Sequence, residues 1–325
     1  MSKEQQVANL ILALQHSPGF SLHEINDMLA KHSPKGVASV SDVNDYLSIG
    51  DKRLHSVSND AWSFGKQIIE QSNAAGIKTI PITSTNYPRF LKLTPNPPPL
   101  LHLRGNQHVF DNSNLVSVVG TRKASHIGLT IAERIAGFLA DNGWTIVSGL
   151  ALGIDAAAHK GCINKNGATI AVLAHGLHKA FPKTNESLGY EILERGGAWI
   201  SEHPIGTEPK RDFFVQRNRL QVGVSVGSIL IECDEQSGTV SQARYGIGQK
   251  REIFAILPDM QNTSMNLNTS GAKSLINHDN VIRIASKEQY PYLLDILSAK
   301  LIELDKKAKR HNHPSVIADY QDGIV

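Results

Sequence analysis

At 325 residues the chain is long enough for about two domains, on a prior of roughly 150 residues each. Apolar residues make up 41% and charged residues 19%, an ordinary globular mix that excludes a mostly disordered, collagen-like or coiled-coil chain. Lys and Arg number 33 against 30 Asp and Glu, a net charge of +3, so gross charge announces no partner and any basic footprint for nucleic acid has to be local.

The first six residues are polar and carry Glu4, unlike a secretion signal. Val7, Leu10, Ile11 and Leu14 then repeat at helical spacing. Ser17-Pro18-Gly19-Phe20 breaks that helix. Ser21 reads as the cap of the next one, closed into a capping box by Glu24, and Leu22, Ile25, Met28 and Leu29 line its inner face. Residues 1–70 thus predict a small all-α module of helix-hairpin-helix or SAM-like character. Residues 71–113 read as a connecting segment packed on the main domain. It takes in the end of a helix over 61–75, short strands at 77–82 and 100–103, and the extended run Pro95-Asn96-Pro97-Pro98-Pro99 between them.

From 114 to 285 apolar strands alternate with helices. Strands are predicted at 115–119, 144–147, 169–173, from 199, 228–231, 252–257 and 281–284. Helices are predicted at 128–142, 154–163, 186–193 and 239–245. Near-continuous apolar strands between helices mean an α/β fold, a doubly wound, mostly parallel sheet covered on both faces. Its ligand site belongs beyond the carboxyl ends of the strands. Residues 286–325 hold a helix over 292–301 and a polar tail with Lys306, Lys307, Lys309 and Arg310, read as a solvated basic run. No apolar run approaches the ~18 residues of a membrane span, so a cytoplasmic setting without membrane contact is expected.

Three strand-to-helix corners carry small residues where a phosphate fits. The first is Gly120-Thr121-Arg122-Lys123-Ala124-Ser125: a glycine turn, a following helix N-terminus whose amides favour an anion, and two cations. The second is Ser148-Gly149-Leu150-Ala151-Leu152-Gly153-Ile154-Asp155, where Asp155 either caps the helix or meets ligand. The third is Ser237-Gly238-Thr239, preceded by Glu232, Asp234 and Glu235, acids that repel phosphate unless they point away. Two further basic features read as loops of the same domain, Phe181-Pro182-Lys183-Thr184-Asn185 and the run from Phe213 to Arg217-Asn218-Arg219. The fold is expected to bring several of these to one rim.

Other chemistries find no motif. There is no dinucleotide G-x-G-x-x-G, no Walker A and no G-x-S-x-G elbow. The 14 histidines are scattered, and Cys162 and Cys233 have no zinc spacing, so no metal site and no disulfide framework are expected.

Together these residues resemble the DNA-processing protein A family (DprA, also called Smf). The resemblance rests on the Val118–Arg122 corner, the 148–159 run, Ser201-Glu202, Arg217-Asn218-Arg219 and Ser237-Gly238-Thr239. Asn86-Tyr87-Pro88, Pro97-Pro98-Pro99-Leu100-Leu101 and Arg104-Gly105-Asn106 add to it. It covers about residues 70 to 285. It implies an extended Rossmann-like domain that works as a homodimer without cofactor or catalytic chemistry. The implied role is to bind and protect single-stranded DNA during natural transformation and to help load the RecA recombinase. It places Arg122, Lys183, Arg217 and Arg219 in the DNA pocket, with the glycine corners on backbone phosphate. The full expected set is Gly120, Arg122, Lys123, Ser148, Gly149, Gly153, Lys183, Arg217, Asn218, Arg219, Ser237, Gly238 and Thr239.

The chain departs from the family pattern in places. The third corner continues Val240-Ser241-Gln242 where the family usually has Leu-Ile-Thr, and Pro18-Gly19-Phe20-Ser21 lacks a second glycine. Phe181, Phe213 and Phe214 are placed either to stack on bases or to pack on the sheet. Two other readings remain: a nucleotide-sensing or defence-associated protein on the same fold, and a phosphoribohydrolase similar to the Lonely Guy family. The latter needs a glutamate just after its Gly-Thr turn, and none follows Gly238-Thr239 here.

Overall fold

The computed structural model describes residues 1–32, 34, 36–49, 56–259 and 267–311. At its start, local side-chain bonding sets two helices. Ser2 caps α1 (Lys3–His16) and Ser21 caps α2 (Leu22–Lys31), and the residue three positions on, Gln5 or Glu24, returns a bond to the cap's own amide. With α3 (Val40–Ile49) and α4 (Asn59–Ala74) they close around Leu10, Ile11, Leu14, Ile25, Leu47, Trp62 and Ile69, all buried.

Among the described residues nine strands follow: β1 (Ile77–Pro81), β2 (Leu100–Gly105), β3 (Leu115–Gly120), β4 (Thr145–Ser148), β5 (Thr169–Val172), β6 (Ala198–Ser201), β7 (Gly227–Ile231), β8 (Glu252–Ile256) and β9 (Val281–Ile284). Their order in the sheet is β1-β2-β6-β5-β4-β3-β7-β8-β9. β1 and β2 run antiparallel to each other, and β2 antiparallel to β6. β3 pairs in parallel with β4 and β7, β6 with β5, and β8 with β7 and β9. The helices are α5 (His126–Asp141), α6 (Ile154–Ile163), α7 (Glu186–Glu194), α8 (Arg211–Val224), α9 (Gly238–Gly248), α10 (Ser270–Leu275) and α11 (Tyr290–His311). The fold is α/β with a mostly parallel sheet, as the alternation of elements predicts.

Two elements differ from the sequence reading. The run from Phe213 to Arg219 is helical, part of α8, where a loop is expected. Its apolar end, Leu220-Gln221-Val222-Gly223-Val224, has the composition of a strand. It is helical all the same, with Leu220, Val222 and Val224 buried and Gly223 close against Leu91, where a Cβ would stand 2.5 Å from Cδ1. The last helix also runs on to His311, because Leu304 and Ala308 continue its buried stripe while Glu303 pairs with Lys300 and Lys307 along the helix.

By packing the chain divides into two units. The first comprises Met1–Tyr87, Pro95–His108 and Ile170–Arg217, the second Pro88–Thr94, Val109–Thr169 and Asn218–Val325. In the first, the helical module is joined by β1, β2 and β6, with Trp199 fully buried and its indole N–H on the Gly189 carbonyl at 2.9 Å. In the second, Val116, Ile229 and Phe254 of the sheet pack with Ile135 and Leu139 of α5 and with Leu293 and Leu297 of α11. Helices α5 and α6 meet there backbone against backbone: a Cβ on Gly161 would overlap the Glu133 carbonyl, and one on Gly137 would lie 3.2 Å from the Gly161 carbonyl oxygen. Among the described residues no helix is long and apolar enough to cross a membrane.

Candidate functional site

Within the second unit, β3 is flanked by β4, its successor in the chain, and by β7, reached only after the chain has run through β6. The strand order reverses between β3 and β7, and ligands of doubly wound sheets bind beyond the strand ends at such a point. The three corners lie at the carboxyl ends of β4, β3 and β7, three adjacent strands, so the structure does bring them together.

The first corner is braced from all sides. Gly120 lies so close to β7 that a Cβ would overlap the Ile231 carbonyl. The Thr121 amide donates to the Glu232 carbonyl at 2.8 Å, and the Ile154 amide donates to the Thr121 carbonyl at 3.2 Å. Ser125 caps α5 by accepting the Gly128 amide at 3.0 Å. Glu232, whose side chain is buried, accepts from the Ser125 amide at 2.9 Å and from its hydroxyl at 3.1 Å. The start of α5, expected to face a phosphate, already faces this carboxylate. Arg122 and Lys123 project between the anchored ends and are exposed.

The second corner is closed. Ser148 is buried and its hydroxyl donates to the Val118 carbonyl at 2.7 Å. The Gly149 amide donates to the buried Asp155 carboxylate at 3.1 Å, so Asp155 caps its own corner, a charge-assisted bond of the ~1.5–3 kcal/mol class. Gly153 has φ +77°, and a Cβ there would overlap the Thr121 carbonyl oxygen and stand 2.8 Å from that of Arg122. Its glycine serves the approach of this corner to the first.

The third corner is open. Ser237 caps α9, accepting the Val240 amide at 3.3 Å. Gly238 is exposed and outside the left-handed region, and the nearest atom to a Cβ on it would be Asn218 Nδ2 at 3.6 Å, an ordinary contact. Asn218 is buried and donates to the Gly238 carbonyl at 3.2 Å, Thr239 is buried, and Arg219 is half-buried. On one side Asp234 and Glu235 line an open hollow of about 530 Å³ with Gln236, Ser237 and Ser270. Asp234 is held by the Asn268 side-chain amide.

Two of the expected residues belong to the first unit. Lys183 is exposed on the loop after β5. Arg217 is 5% exposed and donates from Nη1 to the Val172 carbonyl at 2.5 Å, tying α8 to the end of β5. Around them stand paired rings: Phe181 lies 6.0 Å from both His175 and Phe214, and Phe213 stacks on His203 at 4.1 Å with Lys210 Nζ 5.4 Å from its ring centre.

Four buried titratable groups have structural surroundings. His159 is buried against the Thr169 hydroxyl at 2.7 Å. Burial lowers the His102 imidazole to about 4 and raises the Cys162 and Cys233 thiols to about 12, far from reactive thiolates. Among the described residues no three His, Cys, Asp or Glu side chains are grouped to hold a metal.

Sequence reasoning missed Glu232, which entered only as an acid near a phosphate turn. The available signal was its place: an acid at the end of an apolar strand, just before a phosphate-type corner, calls for a partner.

The family model for DNA recombination-mediator protein A matches residues 78–289. The chain is 33% identical over 248 residues to Protein Smf of Synechocystis, covering 74% of this chain and 62% of that one. It is 36% identical over 181 residues to DNA processing protein DprA of Bacillus subtilis, covering 56% and 61%. The match thus spans about three-fifths of the length of these relatives. The DprA structure from Streptococcus pneumoniae superposes with a TM-score of 0.69 at 26% identity, over 88% of this chain and 95% of that one. DNA processing protein A from Helicobacter pylori, described for its single-stranded DNA binding mode, gives 0.59 at 26% identity, over 67% and 96%.

Proposed function

This chain belongs to the DNA recombination-mediator protein A family, and from that premise we propose that it binds single-stranded DNA through its phosphates, without reading sequence and without chemistry of its own. The observation that carries this is the first corner: Arg122 and Lys123 stand exposed on a loop fixed at both ends. A backbone fixed at both ends leaves only the side chains to be ordered on meeting a phosphate, which lowers the cost of binding. Gly238, bare of side chain and open to solvent at the start of α9, gives a backbone the same approach at the third corner. The single-stranded DNA binding described for the Helicobacter pylori relative supports the reading.

Within the first unit, Lys183 offers a phosphate contact of its own, and the exposed Phe181 is a face on which a base stacks irrespective of sequence. Arg217, Asn218 and Ser148 contribute to the frame, each giving one polar group to a carbonyl of the protein itself. In the cell the protein works in the cytoplasm as a homodimer that shields an incoming strand and hands it to the RecA recombinase.

The test is binding of a labelled oligonucleotide, single- against double-stranded, over a salt series and with mononucleotides as competitors. Preference for the single strand is expected, with log affinity falling against log salt by about 0.7 per phosphate contacted. Displacement by a mononucleotide at micromolar concentration would replace this reading with that of a nucleotide sensor or nucleotide enzyme.

A further inference from the structure

Glu232 is an expensive residue to keep. It is 6% exposed, carries a carboxylate, and holds a left-handed backbone at φ +53°, a conformation unfavourable for a residue with a side chain. Its bonds account for its persistence. The carbonyl takes the Thr121 amide at 2.8 Å; Oε2 takes the Ser125 amide at 2.9 Å and the Ser125 hydroxyl at 3.1 Å; Oε1 takes the Asn268 amide at 3.3 Å. Gly128, in the first turn of α5, makes room for it, since a Cβ there would overlap Oε2. One residue thus clamps both ends of the stretch whose middle is Arg122 and Lys123. It also fills the start of α5, at the reversal point of the sheet, with a negative charge of the kind that helix N-termini bind.

We propose that Glu232 is a positioning residue for DNA binding: it occupies the helix start as an internal substitute for a phosphate and thereby presents Arg122 and Lys123 outward to the strand. The inference rests on the single-strand reading above. The DNA phosphates then engage the side chains of the loop and not the first amides of α5. The carboxylate touches no DNA and acts only through the loop.

The experiment is a mutant cycle on the full chain, read by anisotropy of a labelled oligothymidine at two salt concentrations. It compares wild type, Glu232→Ala, the pair Arg122→Ala with Lys123→Ala, and the triple variant. Amide exchange over 121–128 is followed in parallel. Glu232→Ala is expected to weaken binding about tenfold, to flatten the salt dependence as the double variant does, and to speed exchange in 121–128 while the strands stay protected. Because residues acting through one another are non-additive, the triple variant should bind within about twofold of the double. Glu232→Gln keeps an acceptor oxygen for Ser125 and should lose about threefold or less. It carries the test if the alanine variant fails to fold.

A folded Glu232→Ala protein with wild-type affinity and salt slope overturns the assignment. So does a triple variant that loses a further tenfold beyond the double. Failure of the underlying reading looks different: the wild type itself ignores the oligonucleotide.

Discussion

The second and third corners have the same ingredients, small residues and glycine between a parallel strand and a helix, and opposite fates. At 148–155 the polar groups are turned inward. The serine hydroxyl and one glycine amide are consumed by Val118 and Asp155, and the other glycine is there because the backbone of the first corner lies against it. At 237–239 the glycine faces solvent, with neither a left-handed backbone nor a close neighbour to require it. A glycine that the fold does not need is the better mark of a ligand than one it does.

The largest effect expected from this contrast is at Gly153. Alanine there meets both a positive φ and two carbonyl oxygens, and should cost about 3 kcal/mol or more, read as a lowered denaturation midpoint. A midpoint within error of wild type would mean the second corner is not closed as described. Next comes the Arg122→Ala, Lys123→Ala double variant. It should lose about thirtyfold in oligonucleotide affinity at low salt, some 2 kcal/mol, and its salt slope should flatten by about 1.4 if each cation meets one phosphate. Unchanged binding would move the site away from the first corner altogether.

Asp155→Ala tests the closed corner from its polar side. It leaves the Gly149 amide without its carboxylate and should cost about 1–2 kcal/mol of stability, while DNA affinity measured well below the melt stays put. A loss of affinity at constant stability would assign Asp155 to the ligand after all. The smallest effect is at Gly238. Alanine there should leave the melt unchanged or raise stability by up to about 1 kcal/mol, since the backbone is compatible with a side chain, yet weaken DNA binding a few fold. Opposite signs in the two assays are the signature of an open corner; equal losses would make it another packing glycine.

The parts of this molecule that were legible in the sequence are those decided within a few residues. The Ser21–Glu24 box spans three positions and is present as expected. The apolar runs of β3 and β7 and the corners that follow them are likewise local. What escaped depends on distant partners. Ser125 and Glu232 are 107 positions apart, and no periodicity marks such a pair. Arg217 reads as part of a basic loop, and only the path of α8 shows it buried against Val172. The antiparallel edge at β1 and β2 is also beyond local reading, because strand direction follows from the path of the chain and not from the residues in it.

The contact of Gly137 with Gly161 has a mechanical consequence. The first corner heads α5 and the second heads α6, and the main chains of these helices approach closely there, with the Lys165 side chain alongside Gly137. If a strand seats at Arg122 as proposed, tension on it would load a beam two helices thick instead of bending a single rod, and the grip would keep its shape under the pull.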